Sequence, residues 1–270
     1  MNKTIAIVHN AVKDNSLPDE QDVIIQVDCV STALQHLGYC PVALPCDLNL
    51  EILKSRLETL NPIAAFNLVE SLDGHGRLIQ VVPALLAALG IPYAGCPAEA
   101  IYATSHKIMA KERMRGAGLP TADWINPVPP DIPWAGASGV NDKKGLVPPE
   151  KLWIIKSLWE HASLGLEQEN LVKGRVDEIA SLLKNSACDL GGACFAEEFI
   201  DGREFNLSIL ESHAGVRVLP PAEILFEGFN PHTPKIVGYR AKWMQDSVEY
   251  HNTPRSFDFS ATDKNLVQNL

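Results

Sequence analysis

Apolar and polar positions along the first hundred residues switch repeatedly between two periods. Residues 5–8 form a short β-branched run that ends at His9-Asn10. Residues 20–37 carry apolar side chains at Val23, Val27, Val30, Leu34 and Leu37, a helical spacing that closes on Gly38. Residues 40–44 read as a second strand, 50–60 as a helix, 63–69 as a third strand, 78–89 as an apolar helix stopped by Gly90, and 92–95 as a short last strand. Strand–helix alternation predicts a parallel sheet covered by helices. Ligands then sit beyond the C-terminal strand ends, where Asn10, Asn67, Glu70 and the 71–76 turn fall.

The pattern changes after residue 98. Residues 105–116 read as a charged helix, followed by a Pro- and Gly-rich surface loop over 127–149. Residues 153–156 are a predicted strand, 160–165 a polar, glycine-containing stretch, 176–183 a helix and 193–199 a strand. Residues 204–210 and 216–225 read as two antiparallel strands joined by a turn at 212–215, before a polar, partly helical tail over 261–270.

Composition narrows the function classes. A formal charge of −10 with no block of Lys or Arg argues against nucleic acid as a partner. No apolar stretch is long enough to cross a bilayer, and the apolar run at the N-terminus is too short for a signal peptide. The six cysteines include no Cys-x-x-Cys pair and are expected to be buried, reduced thiols in a cytoplasmic protein.

Chemistry concentrates at a few positions. Lys156 ends an apolar strand next to the small-residue stretch; it suits either a phosphate contact or an emergence at a strand edge. Lys107 opens a helix, where anions are favoured, although a solvated surface lysine has the same sequence appearance. Lys111, one turn on, is expected at the surface. Residues 195–205 run an apolar strand into a glycine turn with carboxylates at both ends. That pattern fits a charged hairpin or a nucleotide pocket, in which Glu197 accepts from an adenine amino group and Glu204 from ribose hydroxyls. His161 is either a substrate contact or a solvated loop histidine.

The order of these pieces resembles the ATP-grasp superfamily, in its D-alanine–D-alanine ligase branch. The resemblance rests on Phe66-Asn67-Leu68-Val69-Glu70 with Asp73-Gly74-His75-Gly76 and Gln80, on Leu89-Gly90-Ile91-Pro92-Tyr93-Ala94-Gly95, on His106-Lys107, on Ala117-Gly118-Leu119-Pro120-Thr121, and on Tyr239-Arg240-Ala241-Lys242-Trp243. It implies an α/β fold: a Rossmann-like parallel-sheet domain over 1–98 on the substrate side, then an ATP-grasp central subdomain over 99–192 and a partial C-terminal subdomain over 193–270. It implies ATP contacts at Lys107, Lys156, Ser163, Gly165, Glu197, Glu198, Phe199, Ile200, Glu204 and Lys242. Lys242 and Ser163 would also serve catalysis, and Glu20, Glu70, His161 and Trp243 the substrate. The implied activity is an ATP-dependent carbon–nitrogen ligation through an acyl phosphate, in cell-wall building, on an amino acid or peptide. A homodimer is an open option.

Four departures from the family pattern bear on that expectation. Ala162 stands where the closing loop has a serine, and Trp243 where a tyrosine follows Ala-Lys. The N-terminal acidic contact is ambiguous among Asp19, Glu20 and Asp22. The carboxylates expected to hold Mg²⁺ would lie beyond Leu270, so no metal ligand is assigned within the chain, which reads as a C-terminally truncated member. The alternatives are a nucleotide-binding fragment without catalysis and an α/β protein that binds substrate alone.

Overall fold

A computed structural model describes residues 3–13, 16–126, 139, 149–185, 192–230, 234–260 and 263. Most of the predicted 127–149 loop and of the 261–270 tail lie outside the described residues.

The N-terminal region is the expected parallel sheet. In chain order it contains β1 (Thr4–Asn10), α1 (Pro18–His36), β2 (Cys40–Cys46), α2 (Leu50–Leu60), β3 (Ala64–Leu68), α3 (Val81–Ala88) and β4 (Tyr93–Ala94). The strands lie in the order β2-β1-β3-β4, all parallel. Six consecutive residues of β1 are buried, as a strand covered on both faces requires. Leu53 and Leu57 of α2, four residues apart, meet Ala6, Val8 and Leu44 in the core. The helix expected from residue 78 starts instead as a 3₁₀ turn at Gly76–Leu78, with α3 beginning at Val81.

Next come α4 (Ala98–Ser105), α5 (Lys107–Gly116), β5 (Trp124–Ile125), β6 (Lys151–Ser157), β7 (Leu171–Gly174), α6 (Val176–Asn185) and β8 (Cys194–Glu198). Helix α4 has no counterpart in the periodicity reading, which opens one helix at residue 105. The chain breaks at His106, whose extended backbone ends α4 and whose Nδ1 accepts from Met109 N at 3.1 Å to cap α5. The sheet order is β5-β8-β6-β7, antiparallel throughout. Alternation along β8 sends Cys194 and Ala196 into one core with Ile179 and Leu183 of α6. Phe195 turns the other way, against Ile108 of α5 and Trp124. β8 lies inside this sheet, so the sheet runs across the boundary expected at residue 193.

The last region holds β9 (Glu204–Asn206), β10 (Ile209–Ser212), β11 (Gly215–Val218), β12 (Ala222–Ile224), α7 (Tyr239–Trp243), α8 (Val248–His251) and β13 (Arg255–Ser256). The two long strands expected here are four short ones: β10-β11 is a hairpin, while β9 pairs with β12 in a separate three-stranded sheet. Pro220-Pro221 interrupts the second run, because proline has no N–H for a ladder. Cys46 and Cys194 are buried as expected, but Cys29, Cys40 and Cys96 are exposed; Cys188 lies outside the described residues. No helix is long and apolar enough to cross a membrane among the described residues.

Candidate functional site

Sheet geometry builds the first half of the site. Lys156 on β6 stands opposite Phe195 on β8, and Glu197 stands opposite Ile154. Side chains two apart on a strand share a face, so Lys156 and Glu197 project the same way as diagonal neighbours. Lys156 Nζ reaches Glu197 Oε1 at 2.8 Å. The other oxygen, Oε2, accepts from Lys111 Nζ at 2.7 Å.

Lys111 therefore corrects the surface expectation. It is 4% exposed and also donates to Thr121 Oγ1 at 2.9 Å. Its position four residues after Lys107, on the same helix face, does not by itself separate it from a surface lysine. Glu197 is corrected in a narrower sense: both its oxygens are already occupied by lysines. Burial alone would raise its carboxyl, but Lys156 and Lys111 outweigh burial and hold it below the ordinary range.

A cleft of about 300 Å³ opens on this face. Its walls gather Lys156, Ser163, Glu197, Glu198, Glu204 and Lys242 from elements far apart in sequence. Phe199 and Ile200 complete the strand edge there, and Lys235 adds a cation that the sequence reading did not single out. Glu198 points to the opposite face from Glu197 and pairs with Lys151 at 2.7 Å. Glu204 is raised by burial against the pull of Lys242 and Lys156, and Lys242 is lowered by burial despite Glu204. Lys107 lies outside the cleft lining; its Nζ donates to the Glu160 carbonyl at 2.6 Å. Burial first and Lys156 second push it down to about 8. Crowded, desolvated lysines of this kind suit a polyanion.

The second half lies across the 160–166 loop. A cavity of about 210 Å³ is lined by Asp19, Glu20, Glu70, Glu160, His161 and Asn10, among others. Three of the four expected substrate residues, Glu20, Glu70 and His161, meet here. Asp19 and Glu20 both face the cavity, whereas Asp22 lines a separate groove beside α1. His161 is kept neutral by burial and then by Lys107, with its pKa lowered to about 4. Trp243, the fourth, does not line this cavity; its Nε1 donates to the Ala162 carbonyl at 2.8 Å and so holds the loop.

Other contacts seat the same loop. Ser163 Oγ donates to Val237 O at 3.1 Å, and Tyr239 N donates to Leu166 O at 3.0 Å. Gly76 N donates to the Glu160 carboxylate at 3.1 Å, and a Cβ at Gly76 would sit 2.7 Å from Glu160 Oε2. Ala162, Ser163 and Gly165 have φ of 59°, 60° and 61°. Two non-glycine residues held left-handed at one turn store strain at a wall shared by both cavities. Gly165 belongs to this turn but not to the cleft lining.

Among the described residues, no group of three or more His, Cys, Asp or Glu side chains converges to hold a metal ion. The described residues therefore do not make a Mg²⁺ site. Asp263 accepts from Arg203 at 2.6 Å instead.

No protein-family model matches the chain. It is 28% identical over 222 residues to the uncharacterized protein y4sG of Sinorhizobium fredii, covering 80% of this chain and 60% of that one. A D-alanine–D-alanine ligase of Mannheimia succiniciproducens is 28% identical over 83% of this chain and 64% of its own length. The chain thus spans under two thirds of these curated relatives. The solved D-alanine–D-alanine ligase of Bacillus anthracis superposes with a TM-score of 0.61 at 20% identity, covering 98% of this chain and 75% of that one. D-alanyl-alanine synthetase A of Vibrio cholerae gives 0.60 at 13% identity, covering 99% and 78%.

Proposed function

We propose that this chain, which shares the fold of the D-alanine–D-alanine ligases and resembles them in sequence over most of its length, carries the nucleotide and substrate sites of an ATP-dependent carboxylate–amine ligase. One observation carries this reading. The lysine-rich cleft and the carboxylate-lined cavity share a wall, with Ser163 and Leu166 on the cleft side and Glu160 to Ala162 and Leu164 on the other. A phosphoryl donor and its acceptor would thus meet across a few residues, which is the positioning that phosphoryl transfer needs.

The residues divide the work. Lys107, Lys156 and Lys242 neutralise phosphate oxygens, and Glu204 accepts from ribose hydroxyls. The strand edge at Phe199 and Ile200 borders the base, and the 161–165 turn closes over the phosphates. With both oxygens on lysines, Glu197 acts first by orienting Lys156 and only then as a contact to the base. A substrate carboxylate attacks the γ-phosphorus and ADP leaves. The lone pair of an amine then attacks the acyl carbon, phosphate departs with the C–O bond, and the amine gives up a proton. Mg²⁺ would supply charge neutralisation, but the described residues offer no ligand set, so no step is assigned to it.

A nucleotide-binding role without catalysis is the second reading, favoured by that missing ligand set. ADP release from Mg·ATP across an amino-acid panel separates the two. Acceptor-dependent release is expected. An ATP-induced thermal shift with no release for any acceptor would leave only the second reading.

A further inference from the structure

The cavity beyond the loop has a charge pattern that a neutral amino acid does not match. Its four carboxylates come from three segments: Asp19 and Glu20 from the first turn of α1, Glu70 from just after β3, and Glu160 from just after β6. Among the described residues no lysine or arginine lines it, and His161, with its pKa lowered to about 4, adds no charge at neutral pH.

Among the described residues the hydrogen-bond partners of these carboxylates are all neutral. Asp19 Oδ1 accepts from Tyr239 Oη at 2.8 Å, Glu20 Oε2 from Leu17 N at 3.2 Å, and Glu70 Oε1 from Gln26 Nε2 at 3.1 Å. Glu160 accepts from Gly76 N. Among the described residues none of the four enters an ion pair, whereas Glu197, Glu198 and Glu223 do. Burial raises both Glu70 and Glu160, and Asp22 and Asp19 add to the effect at Glu70. At Glu160 the Gly76 N–H, His75 and Lys107 pull the other way.

A second feature points independently to a ligand. Asn10 lines the cavity at 6% exposure. Its Oδ1 takes a long bond of 3.5 Å from Glu70 N, and its Nδ2 donates to no atom among the described residues. The residue is otherwise buried, so this donor opens onto the cavity and is placed to meet a ligand oxygen. The carboxylates do not converge on one point as metal ligands would, so they suit a molecule with separated cationic groups.

We propose that this cavity takes a basic amino acid with a second ammonium group on its side chain, of the lysine or ornithine class. The proposal rests on the ligase reading above. The two ammonium groups face Asp19, Glu20 and Glu70. An oxygen of the ligand accepts from Asn10 Nδ2, and its carboxylate lies toward Lys107 and the phosphate cleft. Alanine, with one ammonium, leaves most of this charge uncompensated when the cavity is desolvated.

Binding and ADP release are measured on the whole chain with Mg·ATP. The ligands are the L and D forms of lysine, ornithine, norleucine and alanine, with norleucine as the neutral shape-match for lysine. Lysine or ornithine is expected to bind about tenfold or more tightly than norleucine, the scale of one charge-assisted hydrogen bond. E70Q and E20Q, which keep shape and lose charge, should each shrink that ratio severalfold. Equal or tighter binding of norleucine or alanine, a ratio unmoved in both variants, or no amino-acid binding at all overturns the proposal. Basic amino acids that bind without ADP release would remove the ligase reading and leave the charge preference standing. ADP release with alanine alone would do the reverse.

Discussion

On one side of the 160–166 loop, lysines converge on a cleft that already contains their counter-charges. Lys111 and Lys156 share Glu197, and Lys242 feels Glu204. On the other side, four carboxylates line a cavity whose wall holds no lysine or arginine among the described residues. The first arrangement is held together internally and keeps its geometry without a ligand. The second leaves its charge to be matched by whatever enters. The loop between them is strained at Ala162 and Ser163 and pinned from the C-terminal side by Trp243, Ser163 and Tyr239 contacts.

The largest expected effect tests the internal pairing. Replacing Lys111 by Met removes one partner of a pair whose lysine side chain is 5% exposed. It should cost about 3 kcal/mol of stability, because Glu197 remains buried with half its compensation. Chemical denaturation reads this directly, and a loss under about 0.5 kcal/mol would mean that the cleft does not depend on its own ion pairs.

A smaller effect tests the cationic side by pH. Burial and Lys156 depress Lys107 to about 8 in the free protein. A polyanion binds the protonated form, so nucleotide affinity should be flat well below pH 8. It should then fall as pH rises through about 8, by up to about tenfold per unit, until the pKa in the complex is reached. Lys107→Met should abolish that step. Titrations between pH 6.5 and 9.5 with a non-hydrolysable analogue check both statements, and a profile flat through pH 9.5 would count against Lys107 as a phosphate contact.

The smallest effect concerns the shared wall. Trp243→Phe keeps an aromatic side chain but removes the Nε1 donor to the Ala162 carbonyl. A loss of about 1 kcal/mol in stability is expected. If ligand binding on both sides of the loop stays unchanged as well, Trp243 does not seat the turn for either cavity.

Much of the fold was legible because burial writes itself into local pattern. The buried run of β1 and the i, i+4 pair Leu53 and Leu57 declare a covered strand and a docked helix without tertiary information. The break between α4 and α5 was not legible, since it depends on the extended backbone of one residue, His106. The four short strands over 204–224 were also hidden, because their residue types suit two long strands until partner registers are known.

The candidate site divides in the same way. Lys156, Ser163, Glu197, Glu204 and Lys242 could be named from residue type and order, and the fold gathers them round one cleft. Lys111 could not be separated from a surface lysine, because a charged side chain four residues along a helix has the same sequence signature whether its face meets water or a sheet. Glu160 and Asn10 were inconspicuous for a related reason: their meaning lies in what surrounds them across 150 residues of chain.

By itself, then, the sequence determined the alternation that makes a parallel sheet and the residue types that suit a nucleotide. Periodicity and side-chain chemistry are local properties, and both survive in one dimension. Only the tertiary structure decided which carboxylates found a lysine and which did not. Pairing is a matter of distance across elements, and it is what distinguishes the compensated cleft from the uncompensated cavity beside it.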